Sequence, residues 1–495
     1  MNADYVNNII PRLSSSSVKL HFFENGEHVV YDAKAIKRDI ARTIELFQKH
    51  GLKPGMRIGI VGANSYEWVI VDLACLAYGL LSAGMDAAAG HDIDRIVSEC
   101  DIDFVYYLDK DEQLNKHFDK SASHDEVELS IDPHRYDGKE AIGLKFTSGS
   151  TGHVKAMMLR STSVSDTLTN VQAMFNHQPG DNILIFLPLY LFQQRFWIYS
   201  GILFDHDVIV VPYRFAITAM QRLNPSVVMG VPEFFERLVQ DIDAHDEQCK
   251  LAFNSLLGNN IRYLWSGSAP LSEDALDKYK QLGIPLYQGY GMNETCIIAK
   301  NYPGNNRVGS VGKVVPSKSV LLEGSGQILV RSKHAVTDGY LNVSEEEGRQ
   351  VFREDGYVAT GDIGYLDEDG YLYITGRIKD LIVLSTGKKV APVPIEKSLE
   401  GMAVIERAVV FGSGKHYLTA VLQRKSSSVS TDEIKLAVTE SGRNRVADER
   451  VHKYIVCDEP MSQENGLLTS QFKVKRDAIW ERYGDELLAL YESAN

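Results

Sequence analysis

Over 495 positions the chain sets 66 acidic against 52 basic residues, a net charge of −14 with no basic run longer than a few residues, which excludes nucleic acid and anionic lipid as natural partners. The length predicts about three domains or subdomains. Cys75, Cys100, Cys249, Cys296 and Cys457 are odd in number, scattered and free of C-x-x-C spacing, so neither a disulfide framework nor a zinc ribbon is expected and a reducing cytoplasm fits.

The opening MNADYVNNIIPRL lacks the charged-then-apolar order of a secretion leader, in line with a cytoplasmic location. Met56 to Val61 is a β-rich run, Gly62 to Ser65 a turn and Glu67 onward an apolar helix, together a β-turn-α unit. The apolar stretch Trp68 to Met85 carries Asp72, Gly79 and Gly84, which predicts a buried helix and no membrane span. Phe104 to Leu108 is the next strand candidate.

Residues 146–158 then read F-T-S-G-S-T-G-H-V-K-A-M-M. Thr147, Ser148, Ser150 and Thr151 supply hydroxyls, Gly149 and Gly152 let backbone N–H groups turn toward an anion, and Lys155 adds a point charge. The P-loop pattern G-x-x-x-x-G-K-[ST] fails, because the lysine comes three residues after Gly152 and Ala156 follows it. The loop is therefore read as a phosphate cradle of another kind.

Further strands are expected at Ile183 to Leu187, Val208 to Val211 and Ser226 to Met229, the last before a helix from Glu233 to Asp243. This alternation predicts an α/β fold of layered sheets with helices on their faces. From about Val320 short strands and turns take over, including Gln327 to Arg331 and Tyr371 to Thr375, as a small β subdomain. A boundary is placed at Lys379, dividing the chain into domains 1–378 and 379–495, the second with strands at Ala408 to Phe411 and Leu418 to Leu422.

Five separated motifs stand in a fixed order: the loop with Lys155, Tyr290-Gly291-Met292-Asn293-Glu294-Thr295, Thr360-Gly361-Asp362, Gly376-Arg377-Ile378-Lys379-Asp380 and a lysine near the C-terminus. Together they resemble the adenylate-forming superfamily of acyl-CoA synthetases, peptide-synthetase adenylation domains and luciferases, over residues 50 to 480. The stretches 385–396 and 465–476 look most like fatty acyl-CoA synthetases. The resemblance implies a large domain that binds ATP and acid, followed by a small mobile α+β domain. It implies a ligase that converts a carboxylic acid, a fatty acid first, to acyl-AMP and then to a thioester of coenzyme A. A carrier protein's phosphopantetheine is the alternative acceptor, and a non-catalytic adenylate-binding relative the second alternative.

Carried over position by position, the resemblance gives the 147–155 loop the β and γ phosphates, Glu294 the Mg²⁺ that travels with ATP, and Tyr290 the adenine. Gly267-Ser268-Ala269-Pro270 resembles the turn lining base and acyl site. Asp362 is expected on the ribose hydroxyls, which a carboxylate can accept two at once, with Arg377 beside it. Lys473 is implied as the lysine reaching carboxylate and α-phosphate oxygens, and Lys379 as the hinge. Asn293 stands where threonine is common, and Leu191 where many relatives carry histidine, which predicts a more apolar acid pocket. No aspartate occurs between Leu187 and Phe204 to pair with an amine, so a free α-amino acid is a poor substrate. Phe192, Phe196, Trp197 and Tyr199, with Met229, Phe234 and Phe235, are candidates for the acid channel and equally for core.

Overall fold

The computed structural model describes residues 4–24, 26–86, 92–109, 132–148, 154–469 and 474–492. The described residues form five sheets. In the first, Tyr263–Ser266, Val227–Gly230, Asn182–Ile185 and Asp207–Val210 run parallel at the centre. Leu286–Met292 joins one side in parallel, and the antiparallel strand Cys296–Lys300 pairs with it. All four residues of Val227–Gly230 are buried, the unbroken apolar pattern of a strand covered on both faces.

The second sheet orders Phe104–Tyr107, Arg57–Val61, Leu81–Met85, Ala141–Ser148 and Val154–Arg160. Here one expectation needs correction. The run Trp68 to Met85 is not one helix: helix Tyr66–Tyr78, capped by the Ser65 hydroxyl accepting from the Trp68 N–H, stops at Gly79, and Leu81–Met85 is a strand. Gly79 takes φ +80°, which only glycine adopts freely, and the chain turns back parallel to Arg57–Val61. Helix and strand are both buried, so no polar residue marks the junction and periodicity misses it.

Asp72, the charge inside that helix, is fully paired. It accepts from Arg195 Nη1 at 3.0 Å, Ser82 Oγ at 2.7 Å and Tyr199 Oη at 2.6 Å. The cluster pins helix Phe192–Phe204 against both elements, and losing one partner would strand a buried charge at a cost of about 3–5 kcal/mol.

Lys318–Leu322, Gln327–Ser332, Val358–Leu366 and Leu372–Arg377 form an antiparallel four-stranded sheet whose register sets Asp362 opposite Arg377. Beyond it, Ile405–Phe411, Leu418–Arg424 and Val451–Val456 make a three-stranded sheet. Strand alternation sends Ala408 and Val410 to one core with helices Val393–Glu400 and Thr431–Ser441, and Val409 and Phe411 to another with helix Arg476–Glu492. Arg407 reaches back to Glu233 at 2.6 Å, tying this sheet to helix Pro232–Val239. Among the described residues no helix is long and apolar enough to cross a membrane.

Candidate active site

Strands Ala141–Ser148 and Val154–Arg160 pair as a hairpin, with Thr147 opposite Lys155. Gly149, Ser150, Thr151 and Gly152 lie outside the described residues, as does the Ser148 side chain. Lys155 is held in place: its Nζ lies 2.6 Å from Glu347 Oε1 and 5.0 Å from the Tyr340 ring centre. Tyr340 in turn donates its hydroxyl to Glu294 Oε1 at 2.6 Å. Burial, reinforced by the Glu294 charge, raises the Tyr340 phenol well above its ordinary value, so it stays a donor. Asn342 fastens the same segment to the hairpin, accepting from the Ala156 N–H and donating to the Val154 carbonyl.

Glu294 is buried, with its second oxygen free of protein partners among the described residues. A lone carboxylate oxygen suits Mg²⁺, which keeps waters and phosphate oxygens as its other ligands and needs no protein cage. No group of three or more His, Cys, Asp or Glu that could hold a metal occurs among the described residues. The turn before Glu294 is tied to the hairpin, Asn293 Nδ2 donating to the Phe146 carbonyl at 3.2 Å and Lys145 Nζ to the Asn293 carbonyl at 3.2 Å. Thr295 is fully buried, its hydroxyl bonded to the Cys296 carbonyl. A Cβ on Gly291 would fall 2.3 Å from the Cys296 carbonyl oxygen, so only glycine lets these strands close here.

Asp362 is buried and bonded on both oxygens: the Tyr290 hydroxyl donates to Oδ2 at 2.6 Å and Arg377 Nε to Oδ1 at 2.9 Å. Burial and the Asp362 charge push the Tyr290 phenol far above its usual range. A carboxylate has about four lone-pair sites, so two remain for ligand hydroxyls. The turn is shaped by Thr360, whose hydroxyl accepts from the Asp362 N–H at 3.0 Å, and by Gly361 at φ +73°. Lys379 follows Arg377 on the exposed link to the C-terminal sheet.

Beside Tyr290 opens a cavity of about 140 Å³. Gly267, Ser268, Tyr290 and Gly291 line it, as do Phe196, Trp197 and Met229. Ser268 sits in the left-handed region at φ +79°, a strained conformation at the cavity's edge. Phe192, Tyr199, Phe234 and Phe235 are core and do not line the cavity. Leu191 caps helix Phe192–Phe204 and is not a lining residue either; Leu187 and Gln194 are. The wall is also less apolar than the missing histidine suggests, because Lys145 and Lys300 both line it. Burial drives the Lys300 amine well below its ordinary value.

Lys473 lies outside the described residues. Val474, the next residue, lines a second pocket of about 210 Å³ between the domains together with Ala269 and Pro270. Arg476 anchors this end of the segment, donating to Glu396 at 2.7 Å and to the Val410 carbonyl at 2.7 Å. Tyr340, Asn342, Glu347, Lys145, Lys300 and Gln194 are the site residues that sequence motifs did not single out.

A family model described as AMP-binding enzyme matches residues 22–341, and the C-terminal domain model of that family matches 379–495. The chain belongs to the AMP-binding enzyme family. It is an AMP-forming, acyl-CoA synthetase-like ligase of the adenylate-forming superfamily, near the fatty acyl-CoA synthetases. The long-chain-fatty-acid–CoA ligase FadD15 of Mycobacterium tuberculosis is 26% identical, with 89% of each chain covered. The long-chain-fatty-acid–CoA ligase ACSBG2 of Xenopus laevis is 24% identical over 90% of this chain and 78% of its own. Among solved structures, ATP-bound MatB from Rhodopseudomonas palustris superimposes with a TM-score of 0.80 at 23% identity, covering 98% and 99% of the two chains. O-succinylbenzoate coenzyme A synthetase from Bacillus subtilis, in complex with ATP and magnesium ion, gives 0.77 at 20% over 95% and 98%. These likenesses establish that this AMP-binding enzyme has the adenylate-forming α/β fold with a small C-terminal domain.

Proposed function

We propose that the enzyme joins a carboxylic acid to coenzyme A in two steps. An acid oxygen attacks the α-phosphorus of ATP, the bond to the β-phosphate oxygen breaks, and pyrophosphate leaves. The thiol of coenzyme A then attacks the acyl carbonyl, AMP leaves with the electron pair of the acyl–oxygen bond, and the thiol proton passes to solvent.

The observation that carries this reading is the position of Tyr290. Its hydroxyl bonds Asp362 while the residue also lines the cavity, so the ribose clamp and the acid pocket share one wall. Two anions meet there only if both are held, and fixed geometry of this kind supplies several kcal/mol of the barrier, roughly 7–11 at its best. Asp362 and Arg377 take the ribose, Tyr290 and the turn Gly267-Ser268-Ala269 the base, and Thr147 to Gly152 with Lys155 the departing phosphates. Asn293 and Thr295 shape the turn that presents Glu294, which would hold Mg²⁺; bound with ATP, that ion neutralises phosphate charge. Lys473 arrives from the C-terminal domain toward the acid and α-phosphate oxygens, and Lys379 is the hinge between the 1–378 and 379–495 domains.

Pyrophosphate release over a panel of acids tests the first step, and acyl-CoA formation against transfer to a carrier protein's phosphopantetheine tests the second. Acid-dependent release followed by coenzyme A consumption is the expected result; consumption of the carrier alone would reassign the acceptor.

A further inference from the structure

This inference rests on the ligase reading and concerns which acid the cavity takes. At about 140 Å³ the cavity matches in size one that takes a single benzene ring, far short of a long alkyl chain. Its wall holds two buried lysines, Lys145 at 3% and Lys300 at 0% exposure. Neither has a carboxylate within ion-pair distance among the described residues.

Lys300 Nζ donates to the Tyr287 carbonyl at 2.7 Å and sits 3.6 Å from the Trp265 ring centre, and it has no other hydrogen-bond acceptor among the described residues. Lys145 Nζ is committed to the Asn293 carbonyl and, at 3.6 Å, to Cys296 Sγ, so it belongs to the mouth beside Glu294. Lys300 lies four residues further along the strand Cys296–Lys300, roughly 13 Å at about 3.3 Å per residue. Gln194 adds a third polar group: 7% exposed, it lines the cavity with Oε1 unpartnered among the described residues. A pocket shaped for an alkyl chain has no use for these groups. Burial penalises a charged amine unless an anion meets it, and the Trp265 face offsets only a part of that penalty.

We propose that the acid activated by this enzyme is short or ring-sized and bears a second carboxylate at its far end, received by Lys300. The first carboxylate then faces the α-phosphate at the Asn293–Glu294 end, since the strand register sets Lys300 opposite Gly289 and Cys296 opposite Met292. Lys300 is a specificity residue, remote from the reacting atoms.

The test measures pyrophosphate release by the full-length enzyme with MgATP on matched pairs, hexanoate against adipate and 4-methylbenzoate against terephthalate, with palmitate alongside. The diacid of at least one pair is expected to exceed its monoacid about tenfold or more in kcat/KM, because a site built around a buried polar group rejects the analogue that leaves it unpaired. Lys300→Met should collapse that preference, lowering kcat/KM on the diacid about tenfold or more beyond any loss on its monoacid, whereas a merely structural lysine would lower both alike. Should Lys300→Met fail to fold, the unmodified enzyme's preference decides alone. Release with monoacids or palmitate and not with diacids overturns the inference and leaves the ligase reading standing, as does equal loss on both members of a pair in Lys300→Met. No release with any acid overturns the ligase reading and the inference with it.

Discussion

The Tyr340 hydroxyl donates to Glu294 Oε1 over 2.6 Å, while the same ring lies 5.0 Å from Lys155 Nζ. One tyrosine thus links the proposed metal carboxylate to the hairpin lysine, although the three residues stand 139 and 46 positions apart. Tyr340→Phe removes the bond and keeps the ring. Glu294 then loses its fixed orientation, and the Mg²⁺ concentration for half-maximal pyrophosphate release should rise about three- to tenfold. An unchanged Mg²⁺ titration would detach Glu294 from the metal.

Asp362 is held by Tyr290 and Arg377. Asp362→Asn keeps the shape and loses the charge that both donors address, so the KM for ATP should rise about tenfold or more, the scale of one charged hydrogen bond. AMP affinity, read by calorimetry, should fall in parallel; a variant impaired only in KM for the acid would place Asp362 elsewhere.

Lys473→Ala should depress adenylation by about a hundredfold or more while sparing thioester formation from supplied acyl-adenylate. Lys379→Pro, which fixes φ near −65°, should do the reverse, leaving pyrophosphate release and stalling acyl transfer. Single-turnover assays of each half-reaction separate the two, and equal loss of both steps in either variant would remove its assignment.

His206 is buried, with Ser200 Oγ at 2.8 Å from Nε2 and the Asp207 carbonyl at 3.2 Å from Nδ1. Burial lowers its pKa from 6.5 to about 4. The unfolded chain therefore binds a proton that the folded chain refuses between these values. The contribution is intact above pH 6.5 and lost as the pH falls toward 4, at most roughly 3 kcal/mol. His206→Gln should flatten the fall of Tm between pH 6.5 and 4.5 relative to the unmodified enzyme.

The Tyr290–Asp362–Arg377 cluster, proposed for the nucleotide, stood out in the sequence because its parts are local: T-G-D places its own cap and carboxylate, and Tyr290 to Thr295 are contiguous. The acid side did not. Lys145 ends A-I-G-L-K and Lys300 ends C-I-I-A-K, each a single charge in an apolar strand. That signal was present, but which cavity the charge meets depends on strands of two different sheets coming together, Lys145 meeting Cys296 from 151 positions away. Tyr340 gave no signal, since its value lies in reaching Glu294 across the fold. The helix expected from Trp68 to Met85 failed at Gly79 for the same reason, because a buried strand and a buried helix share one apolar texture.

The most direct test of the central claim is the product of ATP consumption with and without acid. Acid-dependent formation of AMP and pyrophosphate in equal amounts, followed by acyl-CoA once coenzyme A is added, is the predicted result. Acid-independent hydrolysis to ADP and phosphate would contradict it.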